Sequence, residues 1–392
     1  MTSRNILVIG AGIGGLTTAL AFAAGGDRVD IVEQAPELSE VGAGLQVSPN
    51  ASRILVALGL GDRLRKAMIV PHEIVLASGQ TLRRITHVPC GGFAEDRWGA
   101  PYGVMHRADL QKLLLDAVAA HADCHLHLGQ RIQNTNINSL HARLGRPAPD
   151  LVVGADGVWS QIRKLVPGAF EPRFSGQIAW RFTLPADVAR SVLDPVNVTA
   201  FMGPRTHLVT YPLDRGETIN MVAITRGIQR GETWNSQETG SDRPGLLSAF
   251  AGWHNSIVSI LRQPPEMNCW PLYEVPDGPW HNNEKTVLIG DAAHAMTPYA
   301  AQGAAMAIED GYELAQACAH RDAGELGSAL AGFVAARRAR VARTRGRGAF
   351  NQFAYHARGP IRLGRDLVLS LKPPESLAAD LDWLYGYRAS GL

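Results

Sequence analysis

A glycine-rich segment near the start of the chain has the residue types and spacing of a phosphate-binding turn. Gly10, Gly12 and Gly15 stand in GxGxxG order, directly after the apolar run NILVIG. The first glycine permits a tight turn, the second lets backbone approach a pyrophosphate, and the third lets a helix pack on a strand. Glu33 lies 18 residues after Gly15, where a carboxylate would accept both hydroxyls of an adenosine ribose. The pattern predicts a dinucleotide site and leaves NAD and FAD both open.

Two later segments carry an acidic residue in a glycine-containing turn after an apolar run. GADGVWSQIR contains Asp156, with a helix expected directly after it, and GDAAHAMTP contains Asp291 and Pro298. In the segment from Gly290 to Gly311, eight of 22 residues are alanine, so the pattern indicates either core packing or an aspartate and a helix start that both face a ligand. A helix starting near Gly303 would point its free N–H groups and positive dipole end at the same ligand.

Hydrophobic patterns indicate the elements that position these motifs. Short β-branched runs at NILVIG, RVDIVEQ, DLVVGADG and KTVLIGD are typical of buried parallel strands, whereas GGLTTALAFAAGG and HRADLQKLLLDAVAAHA are typical of helices. From Phe174 to about Trp270 the pattern alternates and is rich in aromatic residues, which predicts an antiparallel sheet. We expect an α/β fold with a Rossmann-like dinucleotide-binding domain built from discontinuous segments, an inserted antiparallel β-sheet domain and a C-terminal helical region.

The expected domain boundaries follow these patterns. The dinucleotide-binding domain would comprise 1–70, 98–173 and 272–345, the β-sheet domain 71–97 and 174–271, and the helical region 346–392.

The composition is that of an ordinary globular protein, with 46% hydrophobic and 19% charged residues among 392. A net charge of +2 gives no reason to expect a nucleic-acid partner. The uncharged run from Asn5 to Gly26 resembles a signal peptide, but the phosphate-binding turn explains its glycines better, so we expect no membrane segment. Four scattered cysteines without a CxxC pair favour a reducing cytoplasm.

Two patterns that suggest other binding sites have simpler explanations. HADCHLH has metal-ligand residue types, but we expect the end of a helix and then a strand with His125 and His127 facing outward, and no metal. Residues 326–365 contain nine arginines and no acid. We interpret them as solvated or subunit-contact helices rather than as a surface for nucleic acid or lipid.

The three glycine-containing motifs resemble, in order and spacing, the fingerprints of FAD-dependent aromatic hydroxylases, the single-component flavin monooxygenases. The resemblance implies FAD as the cofactor, with Asp291 at its ribityl chain, Pro298 beside the isoalloxazine and the helix from Gly303 directed at the pyrimidine ring. It also implies that Arg107 reaches the pyrophosphate and that Asp156 helps to hold FAD and, indirectly, NAD(P)H. No second GxGxxG is present, so a nicotinamide cofactor would bind transiently.

Within this family, GPRTHLVTYPL, AWRF, YAAQGAAMAIED and LDWLYGY are similar to segments of salicylate hydroxylase-like and 3-hydroxybenzoate 6-hydroxylase-like enzymes. That resemblance implies that His207, Tyr211 and Gln302 face the substrate. Residues four apart on a strand share a face and lie about 13 Å apart, so the histidine and tyrosine would contact one ring from different sides. Leu45 and Val47 are expected to line the apolar side of the pocket.

The activity that the resemblance implies is hydroxylation of a phenolic aromatic acid of the salicylate or 3-hydroxybenzoate type. NAD(P)H would reduce FAD, and O2 would then form a flavin hydroperoxide that attacks an electron-rich ring carbon. A phenolate reacts better than a phenol, so we expect His207, with a pKa near neutrality, as base or proton relay and Tyr211 as the orienting group.

Other interpretations stay open at this point. Within the family, the substrate would be an N-heteroaromatic such as 6-hydroxynicotinate. Outside it, the protein would be an FAD oxidoreductase without oxygen insertion, or a flavin-binding regulator without turnover. The expected partners are a small aromatic substrate and O2, with a homodimer as the oligomeric state considered. Two features depart from the family: Ala295 stands where Pro is usual, and residues 129–150 show no clear hairpin.

Overall fold

The computed structural model describes residues 3–38, 44–132, 137–190, 192–228, 236–237, 243–264, 267–319 and 321–392. Its strands are β1 (Asn5–Ile9), β2 (Arg28–Val32), β3 (Gly44–Val47), β4 (Glu73–Ser78), β5 (Arg84–Pro89), β6 (Gly103–His106), β7 (Cys124–His127), β8 (Leu151–Gly154), β9 (Arg173–Pro185), β10 (Val198–Gly203), β11 (Thr206–Leu213), β12 (Thr218–Arg226), β13 (Ser236–Gln237), β14 (Asn268–Glu274) and β15 (Thr286–Leu288).

The α-helices are α1 (Ile13–Ala24), α2 (Pro49–Ala57), α3 (Gly61–Ala67), α4 (Gly92–Trp98), α5 (Arg107–Ala120), α6 (Ile137–Arg143), α7 (Ala186–Ala189), α8 (Arg243–Ala249), α9 (Asn255–Leu261), α10 (Asp291–His294), α11 (Gly303–Cys318), α12 (Leu326–Tyr355), α13 (Gly359–Leu371), α14 (Pro374–Ala379) and α15 (Asp382–Tyr385). The described residues also form 3-10 turns at Ile162–Leu165, Asp214–Gly216, Pro298–Ala300 and Ala323–Glu325.

A five-stranded parallel sheet in the order β15-β8-β1-β2-β7 forms the first layer. Its strands are short and apolar because both faces are covered, as in other parallel sheets. Helix α1 packs between the sheet and its neighbours α5 and α11. The strands come from residues that are far apart in the chain, so the discontinuous α/β architecture expected from the sequence is confirmed.

The second layer is an eight-stranded sheet in the order β13-β14-β9-β12-β11-β10-β4-β5. All of its pairings are antiparallel except that of β10 with β4. One face carries Trp180, Leu208 and Met221, which pack with Leu246 of α8 and Ile257 of α9. The alternating pattern predicted strands alone here and missed these two short helices, whose apolar residues cover the sheet.

The opposite face of this sheet, which we call the inner face, is turned toward α11 and α12. Ala179 of β9 and Ile224 of β12 pack there against Tyr299, which precedes α11, and near Tyr355 at the end of α12. The small sheet β3-β6 closes one side, because the Gly44 N–H donates to Asn220 Oδ1 of β12 at 3.0 Å. The inner face is therefore enclosed by elements that also border the glycine motifs.

The C-terminal region is helical, as expected, but its arginines differ from the prediction. Arg337 is 1% exposed and Arg340 is also largely buried, and both pair with acids of α11. The prediction of solvated or subunit-contact helices was therefore wrong for these residues, because the acids that they need lie in a preceding helix rather than nearby in sequence. Helix α13 does expose large apolar side chains, namely Ile361, Leu363, Leu367, Val368 and Leu371.

Several smaller expectations can be compared with the structure. His125 and His127 lie on β7, and the described residues contain no cluster of side chains with metal-ligand geometry. No described helix is both long and apolar enough to cross a membrane. Part of 129–150 is helix α6, whereas 133–136 lie outside the described residues. The domain boundaries stay predictions; four of them, at 97/98, 173/174, 271/272 and 345/346, fall within α4, β9, β14 and α12.

Candidate functional site

The glycine turn after β1 contains both packed and open positions. A Cβ atom added to Gly10 would lie 2.4 Å from the carbonyl oxygen of Ala155, and one on Gly15 would lie 1.9 Å from that of Gly10. A Cβ on Gly12 would meet no protein atom within 4 Å. Two glycines are therefore required by the protein's own packing, while the middle one borders free space of the kind that a pyrophosphate needs.

Two groups beside this turn fit a dinucleotide. Helix α1 begins at Ile13 without a side-chain cap on its first N–H groups, so these donors are available to a phosphate. Glu33 directly follows β2, and its carboxylate accepts hydrogen bonds from Ala11 N and Ala35 N, both at 2.9 Å. Each carboxylate oxygen has a second lone pair, so the same group, held in place, can also accept ribose hydroxyls.

The Asp156 turn and the Asp291 turn are joined by a buried arginine. The Asp156 carboxylate accepts from Ser160 Oγ at 2.5 Å and from Gln161 N at 2.7 Å, and burial raises its pKa. Arg163, 2% exposed, donates from Nε to the Ala292 carbonyl and from Nη2 to that of Asp291. The expected helix after Asp156 is only the 3-10 turn Ile162–Leu165, which carries this arginine.

The segment from Gly290 to Gly303 has the geometry of a flavin-binding edge. Gly290 has φ +54° and places Asp291 at the start of α10 with its side chain exposed. Pro298 begins a 3-10 turn and is partly exposed. Helix α11 then begins at Gly303, where an added Cβ would meet nothing within 4 Å and no side chain caps the helix. An open, uncapped helix start beside an exposed carboxylate fits the flavin and its ribityl chain.

A buried ion-pair cluster, which we call the α11 cluster, contacts the backbone of this segment at Gly290. It consists of Glu309, Asp310, Arg337 and Arg340. Asp310 accepts from Gly290 N at 2.9 Å, His294 Nε2 at 2.5 Å and Arg337 Nε at 2.8 Å. The positive charges around Asp310 hold the pKa of its carboxyl far below the usual range despite burial. The cluster therefore ties the Asp291 turn to α11 and α12.

Gln302, just before α11, is held by two residues that follow β3. Its Nε2 donates to Ser48 Oγ at 3.1 Å, and its Oε1 accepts from Asn50 Nδ2 at 3.1 Å. Asn50 Nδ2 also donates to Glu309 Oε1 at 2.7 Å, which connects this site to the α11 cluster. Gln302 is 1% exposed. Its side chain thus fixes the start of α11 against β3, and one amide hydrogen is left for a ligand.

Strand register brings the expected substrate residues onto the inner face. His207, Val209 and Tyr211 are every second residue of β11, so their side chains lie on the same face. Val209 pairs with Val222 of β12, and Val222 pairs with Arg181 of β9. Directly paired residues of an antiparallel sheet point to the same side. The arginine is therefore on the face that carries the histidine and the tyrosine, two strands away.

His207 lies in an aromatic surrounding formed by Tyr299 and Tyr355, with ring centroids 5.0 and 5.4 Å away. Its Nδ1 is 3.0 Å from Nε2 of His356, and its Nε2 makes no hydrogen bond with a described residue. Burial, together with the nearby His356, lowers the pKa of His207 well below the usual range. The expectation of a pKa near neutrality was therefore wrong, because the sequence did not reveal how deeply the ring lies.

Tyr211 is 3% exposed and packs over Gly44, where an added Cβ would be 2.5 Å from Tyr211 Cε2. Burial raises the pKa of its hydroxyl, which makes no hydrogen bond with a described residue. Leu45 is partly exposed, whereas Val47 is 1% exposed and belongs to the core. Because side chains alternate along a strand, both lie on the face of β3 opposite the Gly44 contact with the tyrosine.

Sequence reasoning did not single out Arg181. Its Nε is inaccessible to solvent and has no hydrogen-bond partner among the described residues, although part of the side chain stays accessible. Burial lowers the pKa of the guanidinium, and the charged or titratable groups that act on it are Tyr211 and Arg107, not a carboxylate. The only feature of the sequence that pointed to Arg181 was the AWRF motif that contains it. The sequence analysis also missed His356, which nothing marks except the Arg-rich stretch around it.

Comparisons with known proteins agree with this geometry. A family model described as "FAD binding domain" matches residues 3–347. The chain is 33% identical to 3-hydroxybenzoate 6-hydroxylase 1 of Aquipseudomonas alcaligenes, covering 98% of both chains. It is 32% identical to 6-hydroxynicotinate 3-monooxygenase of Bordetella bronchiseptica, covering 78% of this chain and 80% of that one.

Among solved structures, a variant of Klebsiella pneumoniae HpxO in complex with FAD has a TM-score of 0.80 at 20% identity and covers 97% of this chain and 98% of that chain. This likeness supports the fold: a parallel sheet and a second, mostly antiparallel sheet that enclose one site. The match of the family model over most of the chain shows the cofactor class. The chain therefore belongs to the FAD-binding-domain family and, within it, to the FAD-dependent aromatic-ring monooxygenases.

Proposed function

We propose that this protein is an NAD(P)H-consuming monooxygenase that hydroxylates a phenolic aromatic acid of the salicylate or 3-hydroxybenzoate type. The observation that carries the proposal is a set of polar atoms on the inner face that have no hydrogen-bond partner among the described residues: His207 Nε2, the Tyr211 hydroxyl and Arg181 Nε. The Arg181 guanidinium lies 5.9 Å from the ring centroid of Trp270, and no described carboxylate acts on it. A ring with a hydroxyl and a carboxylate supplies what each one lacks. The hydroxyl provides a proton for the histidine, and the carboxylate provides an anion for the arginine.

The need for an anion follows from the cost of a buried charge. Taking an ion out of water costs several kcal/mol unless an opposite charge or hydrogen bonds compensate it. Among the described residues, no carboxylate acts on Arg181. A substrate carboxylate would therefore be stabilised here by a charge-assisted, bidentate contact. This argument supports an acid over a neutral phenol.

On the cofactor side, FAD when bound supplies the oxygen-activating chemistry, and the chain's own residues hold it. We assign the adenosine ribose to Glu33, the pyrophosphate to the α1 start and Arg107, and the ribityl chain to Asp291. The remaining assignments are packing or backbone contacts by Gly10, Gly12, Gly15, Asp156, Pro298 and Gly303.

On the substrate side, His207 acts as base and Tyr211 orients. The lowered pKa keeps the histidine neutral at physiological pH, so it can accept a proton. The raised pKa of the tyrosine keeps its hydroxyl protonated, so it can donate a hydrogen bond to the substrate. Gln302 offers its remaining amide hydrogen at the start of α11, and Leu45 and Val47 exclude water from the apolar side.

A hydroxylated N-heteroaromatic acid is the second candidate, favoured by the likeness to 6-hydroxynicotinate 3-monooxygenase. Such a substrate also has a hydroxyl and a carboxylate, so the unpaired groups of the inner face fit it equally. An oxidoreductase without oxygen insertion is the rival reaction. The homodimer stays a prediction.

A substrate panel tests the proposal. The purified, FAD-loaded protein is assayed for NADH and NADPH oxidation with salicylate, 3-hydroxybenzoate and 6-hydroxynicotinate under 18O2, and 3-hydroxybenzyl alcohol serves as the neutral control. We expect one acid to stimulate oxidation and to gain one 18O atom, while the alcohol gives little product. Oxidation of NADH or NADPH without 18O in any product would contradict oxygen insertion. Equal turnover of the alcohol and the acid would contradict the proposal that the substrate carries a carboxylate.

A further inference from the structure

The histidine pair on the inner face joins two elements that are distant in sequence. His207 lies on β11, and His356 lies directly after α12, 149 residues later. Their nitrogens Nδ1 and Nε2 are 3.0 Å apart, and their ring centroids are 5.2 Å apart. His207 is 3% exposed, whereas His356 is partly exposed. The pair thus leads from the buried site toward the surface.

A buried base at this position needs an outlet for its proton. The surroundings of His207 are aromatic rings, and a low-dielectric environment disfavours an imidazolium. A proton taken from the substrate therefore cannot remain there at low cost. A neutral imidazole has one donor and one acceptor nitrogen, so two hydrogen-bonded rings can accept a proton at one end and release one at the other.

We infer that His207 and His356 form a two-imidazole relay that carries the hydroxyl proton of the substrate out of the site; the inference rests on the proposed function. The O–H bond of the substrate breaks, and its proton passes to Nε2 of His207. The proton on Nδ1 of His207 passes to Nε2 of His356, and the proton on Nδ1 of His356 passes to water. The substrate is left as an anion, and both rings end neutral as the opposite tautomers.

The groups around His356 support release rather than storage of the proton. Burial, and then the positive charge of Arg226, lower the pKa of His356 to about 4. Tyr299 donates its hydroxyl to Gln177 Oε1 at 2.7 Å, so that hydroxyl is already engaged. Neither tyrosine next to His207 carries a charge, since burial raises the pKa of Tyr299 and of Tyr355. Within the described residues, the two histidines thus provide the continuous path.

The test compares His356→Gln with wild-type protein, both loaded with FAD, using the acid substrate found in the panel. We expect FAD content, substrate affinity and the rate of flavin reduction to be unchanged, while hydroxylation slows about 100-fold, within the range of general acid–base effects. Added imidazole should restore part of the rate, because a small base can take the place of the missing ring. His207→Gln should lose activity in the same way, and the double variant should be no slower than His207→Gln, as residues that act as one unit are not additive.

Two results would overturn the relay: wild-type hydroxylation by His356→Gln, or a loss that imidazole does not reduce and that adds to the loss of His207→Gln. His356→Asn gives the same comparison if the glutamine variant does not fold. Wild-type protein measured alongside separates the two levels of inference. If it hydroxylates no aromatic substrate, the proposed function fails and the relay with it; if it does so and His356→Gln matches it, only the relay fails.

Discussion

Two arginines of this protein, Arg337 on α12 and Arg181 on β9, have contrasting surroundings. Arg337, in the α11 cluster, is 1% exposed and donates to Glu309 at 2.7 Å and to Asp310 at 2.8 Å. Arg181, on the inner face, has a buried Nε without a partner, and no described carboxylate acts on it. Burial opposes the charge of both, but the acids raise the pKa of Arg337 whereas that of Arg181 is lowered.

The difference indicates what each charge is for. A buried cation with two carboxylates is satisfied within the protein, so it fixes α12 against α11 and contributes to the cooperativity of the fold. A buried cation without a carboxylate is costly to the free protein and becomes favourable only when an anion arrives. The first arginine is therefore expected to matter for stability, and the second for substrate binding.

Among the tests of this comparison, we expect substitution of Arg337 to have the largest effect. Arg337→Met should lower the free energy of unfolding by about 3 kcal/mol, because each of two buried carboxylates loses an ion-pair partner. Glu309 keeps Arg340 and a hydrogen bond from Asn50, and Asp310 keeps His294 and a hydrogen bond from Gly290 N. Urea denaturation of the FAD-loaded protein measures the change. Arg338→Met is the matched control, since Arg338 is exposed and its pair with Asp277 is worth at most about 1 kcal/mol. Equal midpoints for the two variants would show that the cluster does not stabilise the fold.

Substitution of Arg181 should act on binding instead. Arg181→Met is expected to raise KM for the acid substrate about 100-fold, since loss of a charge-assisted contact to an anion costs about 2.7 kcal/mol. The unfolding free energy should stay the same or increase, because an uncompensated buried charge has been removed. Steady-state kinetics with the acid and with its neutral alcohol analogue measure the effect. An equal loss for both compounds, or a loss of stability, would contradict the role as an anion site.

The glycine turn extends the comparison to the cofactor side. There the feature left for a ligand is open space beside the backbone of Gly12, rather than an uncompensated charge. Gly12→Ala should fold normally and bind FAD about tenfold more weakly, a change of about 1.4 kcal/mol, because its Cβ enters space that only the cofactor would occupy. Titration of the apoprotein with FAD measures it. Gly15→Ala is the control and should fail to fold, since its Cβ would overlap the Gly10 carbonyl. Full FAD affinity in Gly12→Ala would remove the pyrophosphate from this position.

Much of the cofactor side could be predicted because its signals are local. The GxGxxG turn, the strand before it and Glu33 at the end of β2 lie within about thirty residues, and each residue type has one clear backbone or hydrogen-bonding role. The Arg-rich stretch was misjudged for the opposite reason. Its acids are on α11, and a long-range ion pair leaves no spacing pattern in the sequence.

By itself, the sequence determined the cofactor class, the order of the motifs that follow the parallel strands, and the placement of His207 and Tyr211 on one face of a strand. These features depend on turn chemistry and strand periodicity, which act over a few residues. Only the tertiary structure decided what surrounds those side chains. The pairing of β9, β12 and β11 brings Arg181 to the same face, and the end of α12 brings His356 against His207. Burial and the proximity of other charges set the protonation of a group, and both depend on segments of the chain that meet only when it folds.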